Sequence, residues 1–231
     1  MKLKTILHYF TKTEWILWLS SVTVITASFL LFGAESNLSF IASLIGTTAL
    51  IFVAKGNPIG QMLMVIFSIL YGIISFSAAY YGEMITYLCM SAPMNLFSLA
   101  SWLKNPYKGN KSQVAINHLK KKDVVTMTLI TIPVSVALYF ILATLGTKNL
   151  VPSTISVITS FSAAYLTFKR SVYFSVAYAA NDIILIVLWL MTLSSSTSYV
   201  SVVVCFVIFL FNDLYTFSNW LKIRKKQEDQ A

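Results

Sequence analysis

Two carboxylates stand where a membrane segment tolerates charge least. Asp182 lies in the apolar run 172–193 and Asp213 in the run 197–221, and each follows an asparagine, Asn181 and Asn212. An Asp at the centre of a spanning helix costs about 2.5–3.5 kcal/mol on insertion scales, so such a residue faces a polar cavity or a partner. Neither run holds Lys or Arg at mid-span. The two carboxylates are therefore expected to accept hydrogen bonds from a polar or cationic solute. Helical spacing extends the set. Tyr178, Asp182 and Trp189 share one stripe; Asp213, Thr216 and Trp220 share another, with Asn212, Tyr215 and Asn219 beside it. Upstream, Ser91, Asn95, Ser98 and Trp102 follow the same spacing, and Gln61, Ser68, Tyr71 and Ser75 line a face of the run 58–79. Carboxylates and amides hold sugar hydroxyls and amides. Aromatic rings stack on flat heterocycles or attract cations. Together they suit a neutral or cationic nucleoside-like or sugar-like solute and suit an anion poorly. Some of these polar groups are expected to join helices instead. Trp102 and Trp220, each beside a Lys, are expected as interfacial anchors. Trp189 stands open between anchor and ligand contact, and Pro93 between hinge and static kink.

The elements that must position these residues follow from composition. Of 231 residues, 17 are Lys or Arg and 8 are Asp or Glu; 57% are apolar or aromatic, and mean hydropathy is +0.76. Charged residues make up 11%, against about 25% in a soluble domain. That excludes an ordinary soluble globule and a disordered chain, and no nucleic-acid partner is expected. Eight apolar runs are long enough to span a bilayer: 15–32, 38–54, 58–79, 84–103, 124–145, 152–168, 172–193 and 197–221. None alternates as a barrel strand would. The expected fold is an all-α polytopic membrane protein of eight transmembrane helices.

Charge placement orients it. Lys2, Lys4, Lys12, Lys55, Lys104, Lys108, Lys111, Lys120, Lys121, Lys122, Lys169, Arg170, Lys222, Arg224, Lys225 and Lys226 fall on one side of such a chain, and Lys148 alone on the other. The positive-inside rule then places both termini in the cytoplasm, in the cell membrane. Lipid or RNA binding by the lysine-rich 104–122 loop is the lesser reading. The first run is long for a signal peptide, and Phe32–Gly33–Ala34 is a poor cleavage site, so the helix is expected to be retained. Cys89 and Cys205 lie within runs and read as packing residues. His8 and His118 read as solvated. No metal-ligand spacing, P-loop or cofactor motif occurs in the sequence, so no cofactor, metal or catalytic residue is expected.

Self-similarity organises the runs. Segment 43–57 resembles 157–171 at a shift of 114, each ending its helix at a Lys, Lys55 or Lys169. Asn95-LFSLAS-Trp102-Leu-Lys resembles Asp213-LYTFSN-Trp220-Leu-Lys at a shift of 118. Runs two to four and six to eight then form two three-helix units in the same orientation, joined by run five. This 3+1+3 parallel repeat is a transporter plan. The expected divisions are 1–37 (amino-terminal segment and extra helix), 38–103 (first unit), 104–151 (basic loop and linker helix), 152–221 (second unit) and 222–231 (tail).

The segments KGNPIGQ (55–61), ILYGIISFSAAYYGEM (69–84), MNLFSLASW (94–102) and FNDLYTFSNWLK (211–222) resemble the PnuC family of vitamin transporters. The resemblance implies a SWEET-like helix arrangement and facilitated diffusion of nicotinamide riboside, with relatives for thiamine, riboflavin and deoxynucleosides. It also implies a homo-oligomer, a trimer in the family's characterised members, and a cytoplasmic kinase that traps the cargo without stable binding. Family members for nicotinamide riboside carry a Trp-x-x-Trp/Phe pair in the second helix of the second unit. Here that stretch is 177–185, with Asp182 and Leu185 near those places.

The expectation is thus a membrane facilitator, not an enzyme, importing nicotinamide riboside or a related nucleoside-like vitamin by alternating access. Membrane lipid is its surrounding partner. The substrate-binding residues are Asp182, Asn181, Asn212, Asp213, Asn95, Gln61, Tyr178, Trp189 and Tyr71. The alternatives are transport of a deoxynucleoside, thiamine or another small polar solute, then a membrane-embedded enzyme using Asp182 and Asp213, then a sensor.

Overall fold

A computed structural model describes residues 9–32, 37–147, 149–193 and 199–230. Lys2, Lys4, His8, residues 33–34 and Lys148 lie outside the described residues. The chain is helical because apolar segments in lipid must satisfy every backbone polar group internally. The helices are α1 Lys12–Phe32, α2 Asn37–Ala54, α3 Pro58–Ser77, α4 Tyr81–Ile85, α5 Ala92–Lys104, α6 Lys121–Thr144, α7 Leu150–Phe168, α8 Phe174–Leu193 and α9 Val200–Glu228. Strands β1 Pro106–Tyr107 and β2 Asn110–Val114 form a small antiparallel hairpin. Among the described residues, seven helices are long and apolar enough to cross a membrane.

The run expected at 84–103 is not one α-helix. It comprises α4, a π-helical turn Thr86–Ser91 and α5. The Ala92 N–H reaches the carbonyl of Tyr87, five residues back. Pro93 has no N–H to give the preceding turn, and the wider turn absorbs the break. Such turns rotate the side chains that follow, and they cluster at functional sites. The tail expected at 222–231 is largely helix, because α9 continues to Glu228.

Six helices close a ring. α3 packs on α2, α2 on α9, α9 on α8, α8 on α7, α7 on α5, and α5 on α3. α1 lies outside against α2 and α9, and α6 lies outside against α7. α6 buries few residues and exposes Leu129, Ile132, Val136 and Phe140, as a lipid-facing helix does. Glycine decides one close approach. A Cβ on Gly60 would sit 2.6 Å from the Val53 backbone nitrogen, so only glycine lets α2 and α3 touch there.

The ring is tied at its lysine-rich end. In the turn before α3, Gly56 adopts φ +68 and Asn57 Oδ1 accepts the Ile59 N–H at 3.0 Å. In the turn before α8, Arg170 adopts φ +57 and Ser171 Oγ accepts the Tyr173 N–H at 3.3 Å. The segment between α5 and α6 straps both turns. The Val114 N–H donates to Gly56 O at 2.9 Å and the Asn117 N–H to Arg170 O at 3.0 Å. Gln227 of α9 holds the same strap, donating to Val114 O at 3.0 Å and accepting from the Ile116 N–H at 2.9 Å. Lys55 pairs with Glu14 at 3.1 Å and Lys169 with Asp123 at 2.9 Å. The Asp123 partner holds the Lys169 ammonium above its ordinary pKa.

Trp102 and Trp220 were expected at the lipid interface. Both are fully buried at this end of the ring instead. Trp102 Nε1 donates to Thr167 O at 3.0 Å and Trp220 Nε1 to Val53 O at 2.9 Å. Each indole is a further donor to a carbonyl at the carboxyl end of a helix, beside the turn N–H of Arg170 at Thr167 O and of Gly56 at Val53 O. A buried indole N–H needs such a partner, and this demand outweighs the preference for headgroups.

Candidate functional site

The middle of the ring holds a polar cavity. It is lined by Ser68 and Met64 of α3, Tyr87 and Ser91 of the π-helical turn, Asn95 of α5, Ser160 of α7, Tyr178, Asn181 and Asp182 of α8, and Asp213 of α9. Phe67, Leu50 and Phe209 close the apolar part. Its free space is about 20 Å³, room for roughly one water molecule. The molecule is therefore in a closed form, and a nucleoside-sized solute enters only when the walls part.

One wall is neutral. Asn95 Nδ2 donates to Ser68 Oγ at 3.1 Å and lies 3.4 Å from Met64 O. The other wall is acidic. Asp182 and Asp213 lie side by side, within hydrogen-bonding reach of each other. Both are buried, at 3% and 2% exposure, and Asp182 Oδ2 and Asp213 Oδ1 have no hydrogen-bond partner among the described residues. Asn181 Oδ1 is already engaged, accepting from Thr159 Oγ1 at 2.8 Å and Ser160 Oγ at 2.9 Å. No Lys, Arg or His lines the cavity among the described residues, so its unsatisfied acceptors favour a donor or a cation.

The expected residues separate by position. Asp182, Asn181, Asp213, Asn95 and Tyr178 line this cavity together. Gln61 lines a smaller recess that shares Asn95, Tyr178 and Asp213, and its Oε1 has no partner among the described residues. Asn212 points elsewhere: its Nδ2 donates to Ile208 O at 2.8 Å and to Ser21 Oγ of α1 at 3.3 Å. It stitches α9 to the outer helix because adjacent helical residues point about 100° apart. Trp189 and Tyr71 bond each other, indole N–H to phenol oxygen. Neither lines the cavity among the described residues. Tyr71 packs on Tyr87 with centroids 4.3 Å apart and on Phe67 at 5.7 Å, so it supports rings that do line it. Leu185 is fully buried in the apolar core.

Sequence reasoning missed Tyr87, Ser160 and Phe209 as lining residues. Tyr87 enters through the π-helical turn, which has no hydropathy signature. Ser160 has a readable signal, since Ser153, Ser156 and Ser160 recur on one face of α7. The largest omission is Glu83, which falls just outside the expected run 84–103 but is fully buried in α4.

A ring of helices, five of the six of membrane length, around a closed polar cavity with acceptors left for a solute defines a membrane transporter. The chain belongs to the nicotinamide mononucleotide transporter family, whose model matches residues 36–222. It is 25% identical over 219 residues to the nicotinamide riboside transporter PnuC of Neisseria mucosa, spanning 92% of this chain and 82% of that protein. Its fold is similar to the crystal structure of the vitamin B3 transporter PnuC, with a TM-score of 0.82 over 94% of each chain at 22% identity.

Proposed function

We propose that the chain carries nicotinamide riboside, or a closely related nucleoside-like vitamin, across the cell membrane by facilitated diffusion. The observation that carries this reading is the closed central cavity, whose acidic wall lacks any cationic partner among the described residues. Nicotinamide riboside has a pyridinium ring with a fixed positive charge and a ribose rich in hydroxyls. Asp182 and Asp213 would hold the charged ring, and Asn95, Asn181 and Gln61 the hydroxyls and the carboxamide. Aromatic faces come from Tyr87, Tyr178, Phe67 and Phe209, in place of the Trp-x-x-Trp/Phe pair.

The transport cycle is alternating access between two parallel three-helix units, α2–α3–α5 and α7–α8–α9, in a SWEET-like 3+1+3 plan with eight spans. Paired features support the repeat. Val53 and Thr167, the carbonyls capped by the two indoles, stand at the shift of 114, and Trp102 and Trp220 at the shift of 118. The positive-φ residues Gly56 and Arg170 also match at 114. The lysine-rich end is cytoplasmic on the positive-inside rule. The chain works as a homo-oligomer, and a cytoplasmic kinase traps the cargo.

The test is uptake of labelled nicotinamide riboside into proteoliposomes, with competition by thiamine and deoxynucleosides. Saturable uptake of chemically unchanged cargo that stops at equal concentrations supports the reading. Competition by thiamine or a deoxynucleoside alone reassigns the cargo, and a modified product overturns transport.

A further inference from the structure

Glu83 is a fully buried carboxyl that the central cavity does not include. Its position is built. Gly82 beside it faces α7 and α6, where a Cβ would come within 3.1 Å of the Ser153 Cβ and 3.2 Å of Leu142 Cδ1, respectively. The bare glycine lets α4 press on α7, and Glu83 lies within reach of the Ser156 hydroxyl, which itself has no partner of ordinary geometry among the described residues. Neither carboxyl oxygen has a hydrogen-bond partner of ordinary geometry among the described residues. The ion pairs of the described residues involve Glu14, Asp123 and Glu228 at the lysine-rich end, whereas Glu83 belongs to the opposite half of the ring. Burying a carboxyl without a partner is costly, and Gln would fill the same space with less penalty.

The surroundings connect Glu83 to the cavity. Tyr87 lines the cavity beside Asp182 and lies within electrostatic reach of both Glu83 and Asp182. Tyr71 stands against Tyr87 and also senses Glu83. Along α7, Ser156 at Glu83 and Ser160 at Asn181 are one helical turn apart, a hydroxyl track from one point to the other. We propose that Glu83 with Ser156 is a second cargo-recognition point, on the side of the cavity away from the lysine-rich end. It takes the cationic ring before the ring passes Tyr87 to Asp182 and Asp213. This rests on the reading that the cargo is a nucleoside-like cation.

The test compares two probes on the purified full-length protein in proteoliposomes. One is nicotinamide riboside; the other is its dihydro form, of nearly the same shape but uncharged. Glu83→Gln is expected to raise KM for the cation about tenfold or more, the value of one charge-assisted contact. Uptake of the uncharged probe should stay within about twofold by the same reasoning. Glu83→Asp keeps the charge and should keep the preference for the cation at reduced affinity, which guards against a Gln variant that fails to assemble. Equal effects on both probes, or none, overturn the assignment, as does a Glu83→Asp variant that loses cation preference. Wild-type protein that carries neither probe overturns the cargo reading itself.

Discussion

Replacing Asp182 or Asp213 by Asn tests the central cavity most directly. The two side chains are almost identical in volume, so no cavity forms and the packing cost of truncation does not enter. The new amide also has a ready acceptor. In either variant it faces the remaining carboxyl of the pair, so the fold survives. What is lost is one carboxyl of the pair, with an oxygen that has no partner among the described residues. A hydrogen bond to a charged group contributes about 1.5–3 kcal/mol, or about 10- to 150-fold in Kd. Each single variant should weaken nicotinamide riboside binding within that range. The double variant should lose less than the two singles combined, because the carboxyls touch and act as one acceptor. Calorimetry on purified protein measures the affinities, and proteoliposome uptake checks that transport falls with them. Binding and uptake within twofold of wild type in both single variants would remove the pair from recognition and refute the reasoning.

Two further perturbations address the lysine-rich end. Trp102→Phe and Trp220→Phe each remove one indole hydrogen bond, at 3.0 and 2.9 Å, while Thr167 O and Val53 O keep the N–H groups of Arg170 and Gly56 at 2.9 and 2.8 Å; each should cost about 0.5–1.5 kcal/mol, read as a fall in Tm of similar size in the two variants. Asp123→Asn should remove a small, pH-dependent contribution to stability. Lys169 has its pKa raised by Asp123, so the pair stabilises below the ordinary lysine range and is lost as pH rises through the raised value. Melting curves should show wild type ahead of Asp123→Asn at neutral pH and the difference closing in strong alkali.

The helices were legible because apolar length is a one-dimensional signal, and the basic residues marked their ends. The break in the fourth run was not. A π-helical turn leaves hydropathy unchanged, and Pro93 alone fits either a kink or a hinge. Asp182 and Asp213 stood out because charge at mid-span is rare. Asn95 and Tyr178 followed by helical spacing, and Asn181 by adjacency to Asp182. Asn212 was drawn in by adjacency, although neighbours on a helix face different ways. The tryptophans were misplaced because Trp beside Lys matches an interface belt equally well, and only the ring's closure shows a helix carbonyl within reach of each indole. Glu83 was passed over because its run starts next to it. Its depth depends on how closely Gly82 lets α4 approach α7, a three-dimensional fact.

The two walls of the cavity bear on how a cargo is held. On the repeat reading, Ser68 corresponds to Asp182 at the shift of 114, and Asn95 to Asp213 at the shift of 118. In each unit the corresponding side chains meet: Asn95 donates to Ser68, and Asp182 meets Asp213. The same pair of positions is therefore filled with neutral chemistry on one side and acidic chemistry on the other. Two equal walls would offer a cargo two equivalent orientations. Unequal walls give a solute with one cationic and one hydroxylated end a single preferred orientation, ring toward α8 and α9 and hydroxyls toward α3 and α5. The units meet along two seams, α2 with α9 and α5 with α7. On the proposed cycle, opening either end separates the neutral wall from the acidic one, so the cargo would bridge them only while the ring is closed. Affinity then peaks in the occluded state, and release on either side needs no group to be expelled.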